Sequence, residues 1–169
     1  MSATAATGTA MDVHMRRRTL RQFTNGMYIM TSRHGLDYGG ATVTWISQIS
    51  FRPPLIMAAV RPGSNVFKCL AASGVAAVHV LGVDHQDVAA RFFAPTRVSD
   101  GQINGEAFAD GITGVPILTR LGAWVECRVR RIIESGGDHA VVIMEVVDAQ
   151  CRMPVKPLTI QASPWEYGG

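Results

Sequence analysis

Hydrophobic and polar positions alternate most clearly from Ala41 to Phe51, and this alternation predicts a half-buried β-strand. One face of that strand is apolar except for Ser47, and its apolar members are Ala41, Val43, Trp45, Ile49 and Phe51. The opposite face carries hydroxyl and amide side chains: Thr42, Thr44, Gln48 and Ser50. Such a row predicts a ligand with a flat polar ring system lying along the strand or, alternatively, a face that is simply turned to water.

A turn and a second apolar run follow this strand. Pro53-Pro54 ends the strand because proline cannot donate a ladder hydrogen bond, and residues 55–60 are wholly apolar, as is typical of a buried strand. The segment Arg61-Pro62-Gly63-Ser64-Asn65 then precedes a short helix predicted over residues 66–73, which Gly74 ends. Free N–H groups and the helix dipole favour an anion at a helix start, so this loop predicts a phosphate site beside the polar strand.

The rest of the pattern predicts more strands than helices. Residues 27–32 and 75–81 are interpreted as strands, and Asp84 is expected to cap a short helix that ends near Pro95. Residues 123–133 and 139–147 form the clearest hairpin, with its turn at Gly136-Gly137. Residues 96–120 contain many glycine and polar positions between scattered apolar anchors and are expected to be irregular. Strands with only two or three short helices favour a closed or nearly closed antiparallel barrel.

Composition limits the class of protein. The chain has 169 residues, of which 47% are hydrophobic and 17% charged, which is typical of one folded domain. We expect residues 1–14 to form a flexible tail and residues 15–169 to form the domain. No apolar run approaches the roughly 20 residues that a bilayer requires, so a membrane association is not expected.

The net charge of +3 is small and comes largely from one segment. Arg16, Arg17, Arg18 and Arg21 lie in a helix predicted over residues 12–24, with Leu20 and Phe23 on its other side. A nucleic-acid-binding barrel that uses these arginines is a possible alternative. The polar strand carries few aromatic side chains, which disfavours that alternative, and we expect no nucleic-acid partner.

Motifs of several common enzyme classes are missing from the sequence. There is no G-x-G-x-x-G after a strand, no Walker loop, no H-E-x-x-H and no G-x-S-x-G. Cys69, Cys127 and Cys151 are widely spaced, which indicates buried thiols in a reducing cytoplasm rather than disulfides or zinc. No metal site is expected. His79 and His85 are interpreted as a core and a surface histidine.

Several short segments follow one another in a characteristic order from about Phe23 onward. They are N-G-M-Y-I from Asn25, GATVTWISQISFRPPLIMAAV from Gly40, the loop from Arg61 to Asn65, S-G-V-A-A-V-H-V-L from Ser73, A-A-R-F-F from Ala89, T-G-V-P-I-L from Thr113, G-D-H from Gly137 and P-W-E-Y-G-G from Pro164. In order and spacing they resemble the flavin reductase-like family of FMN-binding split-barrel proteins. This family includes the reductase partners of two-component monooxygenases, flavoredoxins and ferric reductases.

The resemblance implies a set of cofactor contacts. It implies that the central strand lies along the flavin ring and ribityl chain, with contacts from Thr42, Val43, Thr44, Trp45, Ser47 and Gln48. It implies that the following loop binds the FMN phosphate through Arg61, Ser64, Asn65 and Val66, and that Phe92 lies close to the flavin. His139 matches the histidine of the G-D-H turn, which implies a role in positioning the nicotinamide; the alternative is a turn histidine that caps a strand end.

The resemblance also implies an activity and an assembly. The expected activity is hydride transfer from NADH or NADPH to FMN, or to FAD, with the electrons passing to free flavin, a monooxygenase or a ferric chelate. The expected assembly is a homodimer with the flavin near the subunit interface, in which Trp165 and Tyr167 cover the neighbouring site. A flavin-binding electron carrier reduced by a protein partner is the alternative. Hydride acceptance by flavin needs no side-chain acid, base or nucleophile, which explains the lack of a catalytic motif.

Overall fold

A seven-stranded antiparallel sheet forms the largest part of the fold. The computed structural model describes residues 11–168. In chain order its strands are β1 (Tyr28–His34), β2 (Asp37–Val43), β3 (Ile46–Phe51), β4 (Pro54–Val60), β5 (Val75–Val80), β6 (Val98–Ser99), β7 (Gln102–Ile103), β8 (Glu106–Asp110), β9 (Pro116–Leu118), β10 (Ala123–Glu134) and β11 (Ala140–Cys151). The helices are α1 (Val13–Leu20), α2 (Asn65–Ser73) and α3 (Gln86–Arg91). The mainly antiparallel β class predicted from the sequence is confirmed.

The large sheet curls into a nearly closed barrel. Its strand order is β2-β1-β5-β10-β11-β4-β3, so β2 and β3 lie at opposite edges. These two strands are nevertheless consecutive in the chain, separated only by Thr44 and Trp45. Two residues span only about 7 Å of extended chain, so the two edges must meet. The link is held in place by a hydrogen bond from Ala59 N to Trp45 O of 2.9 Å.

The single strand predicted from Ala41 to Phe51 is therefore wrong. The alternation continues through the link, but the chain leaves one edge of the sheet and joins the other at Thr44 and Trp45. Ile49 and Phe51, expected on the buried face, are 45% and 85% exposed. Alternation with a period of two indicates which side chains share a face. It does not indicate which strand lies alongside, which explains the error.

Two clusters of buried side chains stabilise the fold. The first fills the barrel between its strands and α2, and includes Met30, Ala58, Leu70, Val78 and Met144. The second lies between α3, the end of β5 and the segment after β5, and includes Met27, Leu81, Phe92, Ile103 and Leu118. Phe92, from the end of α3, is only 2% exposed. The end of α3 is therefore fixed against the barrel.

Residues 96–120 form a small sheet rather than the irregular loop expected. Strands β6, β7, β8 and β9 pair in that order, and each has between two and five residues. Asp100, Gly101, Asn104 and Gly105 have positive φ angles, which make the tight turns between these strands. Strands this short do not contain enough residues for an alternating pattern, so no strand signal was present in this segment.

The three helices match the predictions to different degrees. Helix α2 begins and ends as expected, with Ser64 Oγ accepting from Phe67 N at 3.3 Å and Gly74 in the left-handed conformation. The predicted Asp84 cap is wrong, because His85 occupies the cap position of α3 and makes no side-chain cap bond. The His85 ring is instead mostly buried and accepts from Gly82 N at 3.0 Å, so it is not a surface histidine. Within residues 11–168 no helix is long and apolar enough to cross a membrane.

Helix α1 lies on the surface. It begins at Val13, inside the segment predicted to be a tail, and Asp12 caps it through its side chain. None of its residues is buried, and Leu20 and Phe23 are 46% and 64% exposed. The expected apolar side of this helix is therefore largely exposed in the described part of the chain. The rest of the predicted tail, residues 1–10, lies outside the described residues.

Two adjacent glycines let β2 approach both neighbouring helices. A Cβ atom on Gly39 would lie 2.4 Å from the Val66 Cα, and one on Gly40 would lie 2.7 Å from the Phe92 ring. Both distances are shorter than van der Waals contact, and the first is to backbone. Glycine at these positions therefore allows β2 to pack directly on the start of α2 and the end of α3.

His79 is the core histidine that the sequence predicted. It is fully buried, its Nε2 accepts from Leu118 N at 3.0 Å, and its Nδ1 lies 3.1 Å from Ile29 O. Since Nε2 accepts, the neutral ring carries its proton on Nδ1 and donates it to Ile29 O. Burial lowers the pKa of His79 to about 4. The ring thus joins β9 to the barrel only in its neutral form.

This burial predicts a loss of stability in weak acid. Below its ordinary pKa of 6.5 the histidine of the unfolded chain takes up a proton, whereas the folded chain does not do so until about pH 4. The contribution of His79 to the free energy of unfolding is therefore complete above pH 6.5, and it falls by about 3 kcal/mol as the pH drops from 6.5 to 4. Denaturant unfolding between pH 7 and pH 5, where carboxylates titrate little, measures this slope. His79→Gln should flatten it and His34→Gln, an exposed control, should not; a wild-type slope of zero contradicts the prediction.

Candidate functional site

A cleft of about 250 Å³ opens at the seam where β2 and β3 meet. It is bounded by the end of β2 and the link that follows, the end of β4, the start of α2, the end of α3 and the turn before β11. Its lining residues are Ala41, Thr42, Val43, Thr44, Trp45, Ala59, Val60, Arg61, Ser64, Val66, Phe92, Phe93, His139 and Tyr167.

Nine of the twelve site residues predicted from the sequence line this cleft. They are Thr42, Val43, Thr44, Trp45, Arg61, Ser64, Val66, Phe92 and His139. They come from four separate segments of the chain, and the closure of the barrel brings these segments together. The seam between the sheet edges is therefore the candidate functional site.

Three predicted residues lie elsewhere. Ser47 and Gln48 are exposed on β3, on the far side of the link, where the Ser47 hydroxyl contacts Gln48 O at 3.3 Å. Asn65 borders a different cleft with His34, Lys68 and other residues. The break in the predicted strand explains the positions of Ser47 and Gln48, since β3 has joined the opposite edge of the sheet.

The free edge of β2 is covered for part of its length. Gly40 N donates to Thr96 Oγ1 at 3.0 Å, and Thr42 N donates to Phe92 O at 3.2 Å. The Thr42 hydroxyl also donates to Ala89 O at 2.8 Å. Thr42 therefore serves to attach the end of α3 to β2, and neither its amide nor its hydroxyl hydrogen is free to donate to a ligand.

Thr44 is the next residue along this edge, and it lies beyond the cover. It is only 7% exposed and lines the cleft. Among residues 11–168, neither its backbone N–H nor its hydroxyl has a hydrogen-bond partner, and its hydroxyl oxygen keeps access to solvent from the cleft. Thr44 therefore presents two polar groups to whatever enters the cleft.

The start of α2 forms a second polar wall. The Ser64 hydroxyl donates to Arg61 O at 2.8 Å, which fixes the loop, and the first backbone bond of the helix runs from Lys68 N to Ser64 O at 3.1 Å. Phe67 N donates to the Ser64 hydroxyl, so the N–H groups left without an acceptor in the described part of the chain are those of Asn65 and Val66. The Arg61 side chain lies on the exposed rim. A helix start with a nearby arginine is suited to an anion such as a phosphate.

Aromatic rings form the third wall. The Trp45 ring centroid lies 4.9 Å from that of His139 and 5.5 Å from that of Tyr167. His139 Nδ1 lies 2.8 Å from Asp138 Oδ1, and this hydrogen bond, with a smaller contribution from Arg61, lowers the pKa of the Asp138 carboxyl. The His139 ring is therefore held between a carboxylate and an indole, in an orientation that contact with Trp45 fixes.

Tyr167 and Phe93 belong to the cleft but were not predicted there. Tyr167 follows Phe92 by 75 positions and has no regular spacing with any other cleft residue. The only sequence signal was the pair of aromatics in the closing P-W-E-Y-G-G, which was expected to cover a neighbouring subunit. In the structure Tyr167 lines the cleft of its own chain.

Comparisons with known proteins identify the family of this chain. The model of the "Flavin reductase like domain" family matches residues 20–163. FMN reductase (NADH) SmoA from Agrobacterium fabrum is 30% identical over 139 residues, which cover 80% of this chain and 75% of that protein. NADH:FMN oxidoreductase from Rhodococcus erythropolis is 31% identical over 75% of this chain and 65% of its own length.

Solved structures of flavin reductases and related proteins share the fold of this chain. A nitrilotriacetate monooxygenase component B homolog from Mycobacterium thermoresistibile superposes with a TM-score of 0.73 at 30% identity, covering 86% of this chain and 80% of that one. The styrene monooxygenase flavin reductase from Pseudomonas putida S12 superposes with a TM-score of 0.73 at 26% identity, covering 90% of this chain and 95% of that one. The family match spans most of the sequence and the barrel is shared with these structures, so this chain belongs to the flavin reductase-like family.

Proposed function

We propose that this protein is an NAD(P)H-dependent flavin reductase, which binds FMN or FAD in the seam cleft and reduces it with NADH or NADPH. The observation that carries the proposal is Thr44, a nearly buried residue whose amide and hydroxyl both lack a partner within residues 11–168. The relatives named as NADH-dependent FMN reductases support the same activity.

The residues around the cleft fit a flavin mononucleotide. Flavin has a flat ring with polar edges and, in FMN, a terminal phosphate. Thr44 supplies donors for a polar edge, and the start of α2 with Ser64 and Arg61 supplies an anion site at the other end of the same cleft. The cleft volume of about 250 Å³ is below the roughly 300–1,000 Å³ of typical ligand pockets. Part of the flavin would therefore remain uncovered. An uncovered ring is required here, because the nicotinamide has to reach it.

The protein's role in the reaction is to bind and orient. Bound flavin supplies the hydride acceptor. The Thr44 amide and hydroxyl would favour negative charge on the ring edge that they contact, and Arg61 would offset the charge of the phosphate. His139, fixed by Asp138 and Trp45, would position the nicotinamide beside the ring. No side chain needs to gain or lose a proton in this scheme.

The electron acceptor is proposed to be a monooxygenase. Relatives include the reductase component of 4-hydroxyphenylacetate 3-monooxygenase from Pseudomonas aeruginosa, 25% identical, and the reductase subunit HsaB of a flavin-dependent monooxygenase from Mycobacterium tuberculosis, 28% identical.

Cys69, Cys127 and Cys151 are all free, although Cys151 is exposed rather than buried as predicted. Free cysteines support a cytoplasmic location, which fractionation of the source cells would check.

A homodimer is also proposed, through the outer face of the barrel beside the cleft. In this part of the sheet Ala58 pairs with Val142, and both are buried inside the barrel. Their neighbours Met57 and Ile143, which pair with each other, therefore point outward, and Met57 is 39% exposed. Ile133, on the adjacent strand, is also 39% exposed. Because Ala59 of the same strand lines the cleft, a second copy covering this face would lie close to the flavin.

Turnover of the nicotinamide is the first test. We expect the purified protein to oxidise NADH or NADPH only when FMN or FAD is present. His139→Ala should lower kcat/KM for the nicotinamide by at least about tenfold and leave the Kd for FMN nearly unchanged. His34→Ala, an exposed histidine outside the cleft, is the control. Absence of flavin-dependent oxidation with either donor rejects the reductase function, and tight FMN binding without turnover favours the electron carrier.

The phosphate end of the site is tested by two adjacent residues. Ser64→Ala should raise the Kd for FMN by about tenfold, because it removes the hydroxyl that fixes the Arg61 loop and caps α2. Asn65→Ala should have little effect, because its side chain borders the other cleft. Titration of FMN fluorescence well below the melting temperature gives both constants. Equal losses in the two variants would place the phosphate on the other side of α2.

The dimer is tested by charge on the outer face. Met57→Arg combined with Ile133→Arg should halve the mass measured by sedimentation and weaken FMN binding, since the proposed interface borders the cleft. Leu36→Arg is the matched control, because Leu36 is 93% exposed in the β1–β2 turn, at the opposite end of β2 from the seam. A wild-type protein that is monomeric at tens of micromolar would contradict the proposed dimer and would not affect the reductase proposal.

A further inference from the structure

The segment of residues 164–168, here named the strap, crosses the open side of the cleft. Its Tyr167 ring packs against Trp45 with centroids 5.5 Å apart, and its Trp165 ring meets the edge of Phe93 at 4.9 Å. Both Trp45 and Phe93 line the cleft. The strap is thus seated on two opposite walls of the site in its own chain.

One arginine holds the far side of the strap. Arg21, just after α1, donates from Nη1 to Glu166 Oε2 at 2.8 Å and from Nε to Gly168 O at 3.1 Å. These two bonds flank Tyr167 in the sequence, so they fix the position of the residue between them. Only a guanidinium presents two rigid donors in this way, and a lysine would keep the charge without the fork.

Beyond Trp165, which packs against the second buried cluster, the strap is attached at few points. A space of about 280 Å³ lies between it and a base that includes Arg21, Ile160 and Gln161. The Arg21 and Glu166 side chains are 31% and 79% exposed, so solvent and salt weaken their ion pair. An element with few buried contacts opens at a small cost in free energy. The strap can therefore open while the barrel stays folded.

From these contacts we infer that the strap is a lid over the flavin cleft, and that Arg21 is the positioning residue that keeps it closed. The inference rests on the proposed function only in naming flavin as the ligand. Tyr167 of the strap lines the cleft, so opening of the strap widens the path by which flavin enters and leaves. Tyr167 then closes over the ligand on the side of the nicotinamide, next to the Trp45 and His139 rings.

Hydrogen exchange of the protein without ligand tests the lid by itself. Arg21→Ala should increase the exchange rate of the amides in residues 165–168 by at least about fivefold and leave the rates in β5 and β10 unchanged. Arg21→Lys should give an intermediate value. Arg17→Ala is the matched control, because within residues 11–168 the Arg17 side chain makes no hydrogen bond or ion pair. Equal protection of the strap in wild type and Arg21→Ala overturns the inference.

Stopped-flow mixing with FMN tests what the lid does. Arg21→Ala should raise the association and dissociation rate constants of FMN together, each by about threefold or more, so that Kd changes less than either rate. Salt at 1 M should move the wild type in the same direction, because it shortens the screening length to about 3 Å. Rate constants unchanged in Arg21→Ala contradict the lid. Failure of the wild type to bind FMN while the exchange result holds would reject flavin as the ligand and keep the lid.

Discussion

Closure of the barrel by a link of two residues is the constraint on which the site depends. Thr44 and Trp45 are all that separates two strands at opposite edges of a seven-stranded sheet. A chain this short cannot cross the sheet, so the sheet has to curl until its edges meet. Every other wall of the cleft is positioned relative to this seam.

The seam also explains why polar backbone is available there. An edge strand leaves a row of N–H and C=O groups without a partner, and proteins usually cover such edges. Here the end of α3 and Thr96 cover the edge of β2 at Gly40 and Thr42, through bonds of 3.0 and 3.2 Å. The cover ends before Thr44. The glycine pair at positions 39 and 40 makes this geometry possible, because any side chain there would push the helices away from β2.

The sequence predicted the elements of the site better than their arrangement. Helix α2, its end at Gly74 and the long hairpin carry strong local signals, and all three are confirmed. The break at Thr44 could not be predicted, because alternation persists through the link. Glu126 shows the same limit: it alternates with apolar residues as an exposed residue would, yet it is 2% exposed and accepts from Ile112 N and Thr113 N at 3.0 and 2.8 Å. Its partners come from a distant loop, and tertiary contacts of that kind leave no trace in periodicity.

A cleft assembled in this way needs few dedicated catalytic side chains. The donors at the seam are a backbone amide and a hydroxyl, the anion site is a helix start, and the ring walls are aromatic. Backbone groups have no sequence signature, which is why motif searches for acids, bases and nucleophiles find nothing here. His139 is a titratable side chain of the cleft, and its contacts to Asp138 and Trp45 serve to fix its orientation. If the proposed site is the place of the reaction, its specificity depends on how the sheet closes, and substitutions that alter the closure should damage the site even when every lining residue is kept.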